Sequence, residues 1–347
     1  MNYNETLFDF DDLVIEPSVL SDIKSRKEIT IENQDGFLPL MTAPMDTVIS
    51  SKNVSLFKKH GIIPVLPRNE KGSLRHFEFT SYGLNEFNEI FLDSEDMNVL
   101  SDQHKTYVLI DIANGHMREL YNSAKKAKEI YGEKLVLMVG NVATPATFAE
   151  YCKIGVDYIR IGIGNGGGCL TTVQTGIGYP MASLIEECYD VKKYLNFPNV
   201  KIVADGGFQK FSDVIKGLAL GADYIMLGSI LNKSLESAGD TTYENEIINQ
   251  FSDRAQELFN VGLPLYKTFR GMSTKDVQKE WGKEVLTTSE GVVKQHKVEY
   301  TLEGWVKNFE DYLRSAMSYT GKKELHDFIG GVEVNLITQN SFNRFKK

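Results

Sequence analysis

Eight short apolar segments recur along the chain with helical patterns between them, and this rhythm constrains the fold more than any other feature. They are PLMTAPM (39–45), GIIPVLP (61–67), HFEFTSY (76–82), YVLIDIA (107–113), LVLMVGNV (135–142), DYIRIGI (157–163), KIVADGG (201–207) and DYIMLGS (223–229). Most are near-continuous runs of Val, Ile, Leu and Tyr, the composition of strands covered on both faces. Helical stretches such as NSAKKAKEIYG, TPATFAEYCKIG and ASLIEECYDVKKYL separate them; in the last, Leu184, Ile185, Cys188, Val191 and Leu195 form one buried face. Alternating strands and helices of this number predict an α/β fold, a closed parallel (β/α)8 TIM barrel, as one domain over residues 1–347. Only RNEKGSLR separates the second and third segments, so that crossover is expected to lack its helix.

Polar and glycine-rich residues gather just after the strand ends: Asp46, Asp111, Asn114-Gly115, Asn141, the 162–169 loop, Asp205-Gly206-Gly207 and Gly228-Ser229. In barrels that rim is where active sites form, which points to an enzyme. After the eighth segment, residues 240–300 break the pattern, and the polar stretch from 273 to 300 reads as a mobile flap over the site. An amphipathic helix follows, with Trp305, Phe309, Tyr312, Leu313 and Ala316 on one face and its end at Gly321.

A net charge of −9 lacks the basic stripe that nucleic-acid binding requires, but it permits a nucleotide, whose phosphate can be held by backbone N–H groups. No run approaches the length of a membrane span, and the first residues do not resemble a secretion signal. Cys152, Cys169 and Cys188 are odd in number and lack CxxC spacing, which fits a reducing cytoplasm rather than a disulfide framework or zinc site.

The segment IGIGNGGGCLTTVQTGIGYP (161–180) carries the chemistry. Five of the seven residues from 162 to 168 are glycine, which lets backbone N–H groups approach a ligand. Cys169 ends the run before a helical stretch, where backbone dipoles favour the thiolate. Cys152 and Cys188, in helical patterns, read as buried small hydrophobes, whereas Cys169 reads as a nucleophile. Gly162, Gly164 and Gly167 also match GxGxxG, but no acidic residue follows a strand about twenty residues on, so a dinucleotide fingerprint is rejected. A second signature, KIVADGGFQKFSDVIKGLALGADYIMLGS (201–229), ends two consecutive strands in Asp-Gly-Gly and Gly-Ser, as late barrel phosphate sites do. Asp205 is then placed to accept hydrogen bonds from ribose hydroxyls.

In combination, FDFDDLVIEP (8–17), APMDTV (43–48), IDIANGH (110–116), GNV (140–142), the Cys169 loop, ADGG, LGS and FRGMS (269–273) resemble the IMP dehydrogenase and GMP reductase family. The resemblance runs in order over nearly the whole chain. It implies a purine monophosphate bound beside a nicotinamide cofactor, attack of Cys169 on C2 of the base, and hydride transfer between C2 and the cofactor. Substrate contacts fall on Gly167, Gly168, Asp205, Gly206, Gly207, Gly228, Ser229, Arg270, Gly271, Met272 and Ser273. Cofactor contacts fall on Asp111, Ala113 and Asn114, and Asp111 also counts among the catalytic residues, positioning the nicotinamide or the thiol. Potassium at the carbonyls of Gly164, Gly166 and Cys169, and a homotetramer, are further family features.

Within the family a dehydrogenase uses an Arg-Tyr pair on the flap to activate water, and no such pair occurs here. A reductase expels ammonia from C2 with help from a Thr two residues after the Cys and a Glu on the flap, and Thr171 and Glu290 match these positions. Ser273 and the VEVNLITQNSF tail also resemble the reductase. The expectation is therefore NADPH-dependent conversion of GMP, or a related guanine nucleotide, to IMP and ammonia. NADH or NAD remains an alternative cofactor. The alternative reaction is oxidation of IMP to XMP with NAD, with Lys279 or Lys283 activating water. A non-catalytic nucleotide-binding barrel and a flavin barrel are further alternatives. Several positions depart from the family pattern. Asn165 and Gly167 replace Pro and Ser, so one phosphate-binding hydroxyl is lost and Ser229 or Arg270 must compensate. Leu170 and Thr172 replace Thr and Arg. Pro67-Arg68 replaces His-Lys, and Arg68 keeps the charge without a titratable amine.

Overall fold

Each of the eight apolar segments forms a strand in the computed structural model, which describes residues 6–68, 70, 77–93, 100, 104–272, 274, 277 and 291–345. The strands are β1 Leu40–Thr42, β2 Val65–Leu66, β3 Phe79–Tyr82, β4 Thr106–Asp111, β5 Leu135–Val142, β6 Tyr158–Ile161, β7 Lys201–Asp205 and β8 Tyr224–Leu227. All pair in parallel in the order β1, β8, β7, β6, β5, β4, β3, β2. A parallel bridge between Met41 and Ile63 joins the first and second and closes the barrel.

Strand side chains alternate between the two faces, and two apolar layers result. Tyr107, Leu109, Met138, Tyr158, Val203, Tyr224 and Met226 fill the barrel interior with Phe77 and Phe79. Val108, Ile110, Val139, Ile159, Ile202 and Ile225 face the surrounding helices. Tilted and edge-on contacts among Phe77, Phe79, Tyr107, Tyr158 and Tyr224 plug the lower end. Continuing the alternation upward, the next inward positions are Asp111 on β4, Gly140 on β5, Arg160 on β6 and Asp205 on β7. Polar groups thus cap an apolar plug at the carboxyl ends of the strands.

The crossover helices include Arg118–Tyr131, Pro145–Lys153, Met181–Tyr194 and Phe211–Ala219. Thr144 starts the second by accepting a hydrogen bond from Thr147 N, with Pro145 in the first turn, where its missing N–H costs nothing. Between β2 and β3 the described residues form no helix, as the short RNEKGSLR connection predicts. Helix Leu302–Tyr319 buries Trp305, Phe309 and Leu313 as expected. Tyr312 departs from that face: it is 53% exposed and lays its ring on Phe211, 5.1 Å between centroids, leaving the rest to solvent.

Residues 240–300, which break the strand-and-helix pattern, hold a four-stranded antiparallel sheet: β9 Thr241–Tyr243, β10 Glu246–Ile248, β11 Tyr266–Arg270 and β12 Val293–Lys297, in the order β10, β9, β11, β12. Glu244 and Asn245, at φ 49° and 67°, make the two-residue turn between β9 and β10. Leu235, Ile248, Ala255, Leu265 and Val298 give this sheet its own small core. The terminal segments meet in an antiparallel pair, Leu13–Ile15 with Val334–Leu336.

Candidate active site

Three charged side chains meet at the top of the barrel interior. Arg160 donates from Nη1 to Asp111 Oδ1 at 2.6 Å and from Nε to Asp205 Oδ2 at 2.9 Å. Asn141 Nδ2 also donates to Asp205 Oδ2, at 2.9 Å, and to the Gly162 carbonyl at 2.8 Å. Arg68 Nε lies 3.4 Å from the other Asp111 oxygen. Burial works against the Arg160 charge, yet the Asp205 and Asp111 carboxylates outweigh it and hold the guanidinium pKa above its usual value.

The glycine-rich loop leaves β6 directly above this cluster. A Cys169 N–H···O=C bond to Gly166, 2.9 Å, folds it into a turn. Cys169 Sγ lies 3.2 Å from Thr171 Oγ1, the first residue of the short helix Thr171–Thr175. The N–H groups of Gly166, Gly167 and Gly168 donate to no described residue. The loop after β7 presses against this one: Gly206 has φ 97°, and a Cβ there would stand 2.8 Å from Gly166 N. Phe10 of the FDF motif meets Phe208 in a tilted ring contact, 5.0 Å between centroids, and supports that second loop from outside.

Burial sorts the cysteines as the sequence predicts. Cys152 and Cys188 are buried in helices, and burial pushes their thiols up, Cys152 to about 12 and Cys188 well above the ordinary range. Cys169 is partly exposed.

The loops enclose a cavity of about 250 Å³. Cys169 and Thr171 line it beside Gly164, Gly166, Gly167 and Gly168. Asp205, Gly206 and Gly207 form one wall, Gly228 and Ser229 another, and Gly271 and Met272 close it from the flap side. Arg68, Asp111 and Ala113 complete it at the far end. Two expected residues stand apart. Asn114 accepts the His116 N–H at 3.1 Å and is not in the lining. Arg270, considered for phosphate, pairs instead with Asp46. Ser273, Glu290, Lys279 and Lys283 lie outside the described residues. Gly291, next to Glu290 in the chain, forms an antiparallel bridge with Cys169, and Val292 N donates to the Gly168 carbonyl at 3.2 Å.

Arg160, Met45 and Phe269 also line the cavity without being expected from the sequence, and so does Asn141, which the sequence places at the rim but gives no role. Arg160 had a readable signal, a lone cation inside the apolar run DYIRIGI, which a buried strand tolerates only when paired. Among the described residues, no cluster of His, Cys, Asp or Glu could hold a metal ion, and no helix is long and apolar enough to cross a membrane.

Known proteins share this arrangement of sequence. Residues 91–345 match the model of the IMP dehydrogenase / GMP reductase domain. A GMP reductase of Buchnera aphidicola subsp. Acyrthosiphon pisum is 27% identical, with 97% of each chain covered. One from Caenorhabditis elegans is 26% identical over 97% of this chain and 94% of that protein. One from Yersinia pestis is 28% identical over 92% of this chain and 91% of its own. With the family model spanning most of its length, and with the barrel, the glycine loop and the thiol in their places, this chain belongs to the IMP dehydrogenase / GMP reductase family.

Proposed function

We propose that the protein is a GMP reductase-like oxidoreductase that converts GMP, or a related guanine nucleotide, to IMP and ammonia with NADPH. The observation that carries this reading is Cys169 Sγ standing 3.2 Å from Thr171 Oγ1 in a cavity walled by glycine loops. Cys169 adds to C2 of the base, and the exocyclic nitrogen gains a proton and leaves as ammonia. Thr171 passes that proton, with Glu290 behind it as the family resemblance implies. The reduced nicotinamide, when bound, supplies the hydride to C2, after which the thiolate departs and IMP is released. Asp205 receives the ribose hydroxyls, and the backbone of Gly206, Gly207 and Gly228 with Ser229 receives the phosphate.

Asp111 and Ala113 line the end of the cavity away from Ser229 and would hold the cofactor. Arg68 and Arg160 fix the Asp111 carboxylate there, which suits it to accept hydrogen bonds. The carbonyls of Gly164, Gly166 and Cys169 would hold a potassium ion, Gly166 with one lone pair because it already accepts the Cys169 N–H. The resemblance adds a homotetramer. Three free cysteines suit the cytoplasm. Relatives named GMP reductase, and the absence of an Arg-Tyr pair from the sequence between 273 and 300, favour reduction over oxidation.

The test is absorbance at the reduced-cofactor band with a panel of guanine and deoxyguanine nucleotides, NADPH and NADH, in potassium and sodium salts. GMP-dependent oxidation of NADPH with release of ammonia is expected. IMP-dependent reduction of NAD without it would reassign the protein as a dehydrogenase.

A further inference from the structure

The described residues of the cavity walls bring no net positive charge to a phosphate. Arg68 faces Asp111, Arg160 faces Asp111 and Asp205, and nearby Arg270 faces Asp46. Three guanidiniums thus meet three carboxylates, while a nucleotide arrives carrying a dianion.

A further cation comes from the flap sheet. In the β11–β12 pair Phe269 stands opposite Lys294, so the two share one face, and His296 two residues on shares it too. The His296 ring stacks on Phe269 at 4.6 Å between centroids. This face looks onto the glycine loop: a Cβ at Gly168 would lie 3.1 Å from the Phe269 ring. Lys294 Nζ donates to the Gly167 carbonyl at 2.9 Å and meets no carboxylate among the described residues. An ammonium has three donors, so two are left.

One feature of Gly167 gives this contact a purpose. A Cβ at Gly167 would meet nothing within 4 Å, so the space where the family's serine hydroxyl would stand is open.

We propose that Lys294 replaces the lost serine as the anchor of the substrate's phosphate: its ammonium, held beside the open space at Gly167, supplies the charge and two donors. The proposal rests on the nucleotide reading above and names a residue specific to this chain's loop. It is tested on the full-length enzyme by calorimetric binding of IMP and of inosine, which lacks the phosphate, and by steady-state kinetics with GMP. Lys294→Gln is expected to weaken IMP binding and raise KM for GMP about tenfold, with kcat within about twofold. Inosine binding and the thermal midpoint should stay unchanged. Lys294→Arg should restore most of the loss, and adding Gly167→Ser to Lys294→Gln should recover it by returning the hydroxyl. Unchanged IMP binding in Lys294→Gln, or an equal loss for inosine, overturns the proposal. A wild-type enzyme that binds IMP without reducing GMP would remove the reductase reading and leave Lys294 to be judged by IMP binding. One that binds no purine monophosphate removes both.

Discussion

Arg160 Nη1 stands 2.6 Å from the Asp111 carboxylate, two strands away, and it reaches there because the intervening inward position on β5 is Gly140, which has no side chain. The same guanidinium holds Asp205 on the other side, so one cation fixes the carboxylates assigned to cofactor and to ribose. Replacing Arg160 by Met leaves two half-buried carboxylates without their shared cation, and the expected loss of stability is about 3 kcal/mol in urea unfolding. Arg160→Lys keeps the charge but not the fork. It should fold and show raised KM for both nucleotide and cofactor. A Met variant as stable as the parent would show that the bridge does not hold the site.

The thiol and hydroxyl pair predicts two different failures. Cys169→Ala should still bind IMP but lose turnover by on the order of 10⁴-fold, because no bond to C2 can form. Thr171→Val should keep the nucleophile yet slow ammonia release, lowering kcat with GMP about 10²-fold. Mass spectrometry of alkylated protein offers an independent check: the partly exposed Cys169 should react before the buried Cys152 and Cys188. Equal reaction of all three would contradict the burial that separates them.

Most of the barrel was legible because strands buried on both faces must be apolar runs, and the rim because polar and glycine residues stop those runs. Cys169 was legible for the same reason, a thiol after five glycines. Arg160 was legible only as a lone cation in an apolar run; its partners were not, because Asp111 and Asp205 become its neighbours only when the sheet closes. Arg270 and Asp46 lie 224 residues apart, so their pairing left no local trace. The flap sheet is not legible in the sequence because β12, VKQHK, is mostly exposed and lacks an apolar alternation. Its order comes from pairing with β11, a non-local contact that spacing does not encode.

Lys267 gives the protein a pH-dependent stability with a defined sign. It is fully buried beneath the flap sheet, and burial lowers its pKa to about 7 although Glu236 and Asp240 oppose the shift. A neutral amine has two N–H donors, and Nζ donates to two carbonyls, Ser237 at 2.8 Å and Gly239 at 3.2 Å. Unfolded, the amine holds its proton up to about pH 10. Between about pH 7 and pH 10 the unfolded chain therefore binds more protons, and stability rises with pH by at most about 1.4 kcal/mol per unit. Urea unfolding of wild type and Lys267→Met at pH 7 and pH 9 should show wild type gaining on the variant at the higher pH. A constant difference would mean that Lys267 stays charged in the fold.

Gly206 and Gly167 provide a matched pair of alanine substitutions in the same cavity. Alanine at Gly206 would sit at φ 97° with its Cβ 2.8 Å from Gly166 N, so the two loops must separate or the residue must carry the strain. Strain of this kind costs about 1–3 kcal/mol, enough to raise KM for the nucleotide about tenfold or more if the loops yield. Alanine at Gly167 meets nothing within 4 Å and its backbone lies outside the left-handed region, so the loop should accept it without moving. Steady-state kinetics and thermal melting of both variants separate loop geometry from the mere addition of a methyl group. Comparable KM values for the two would show that contact between the loops after β6 and β7 does not shape the nucleotide site.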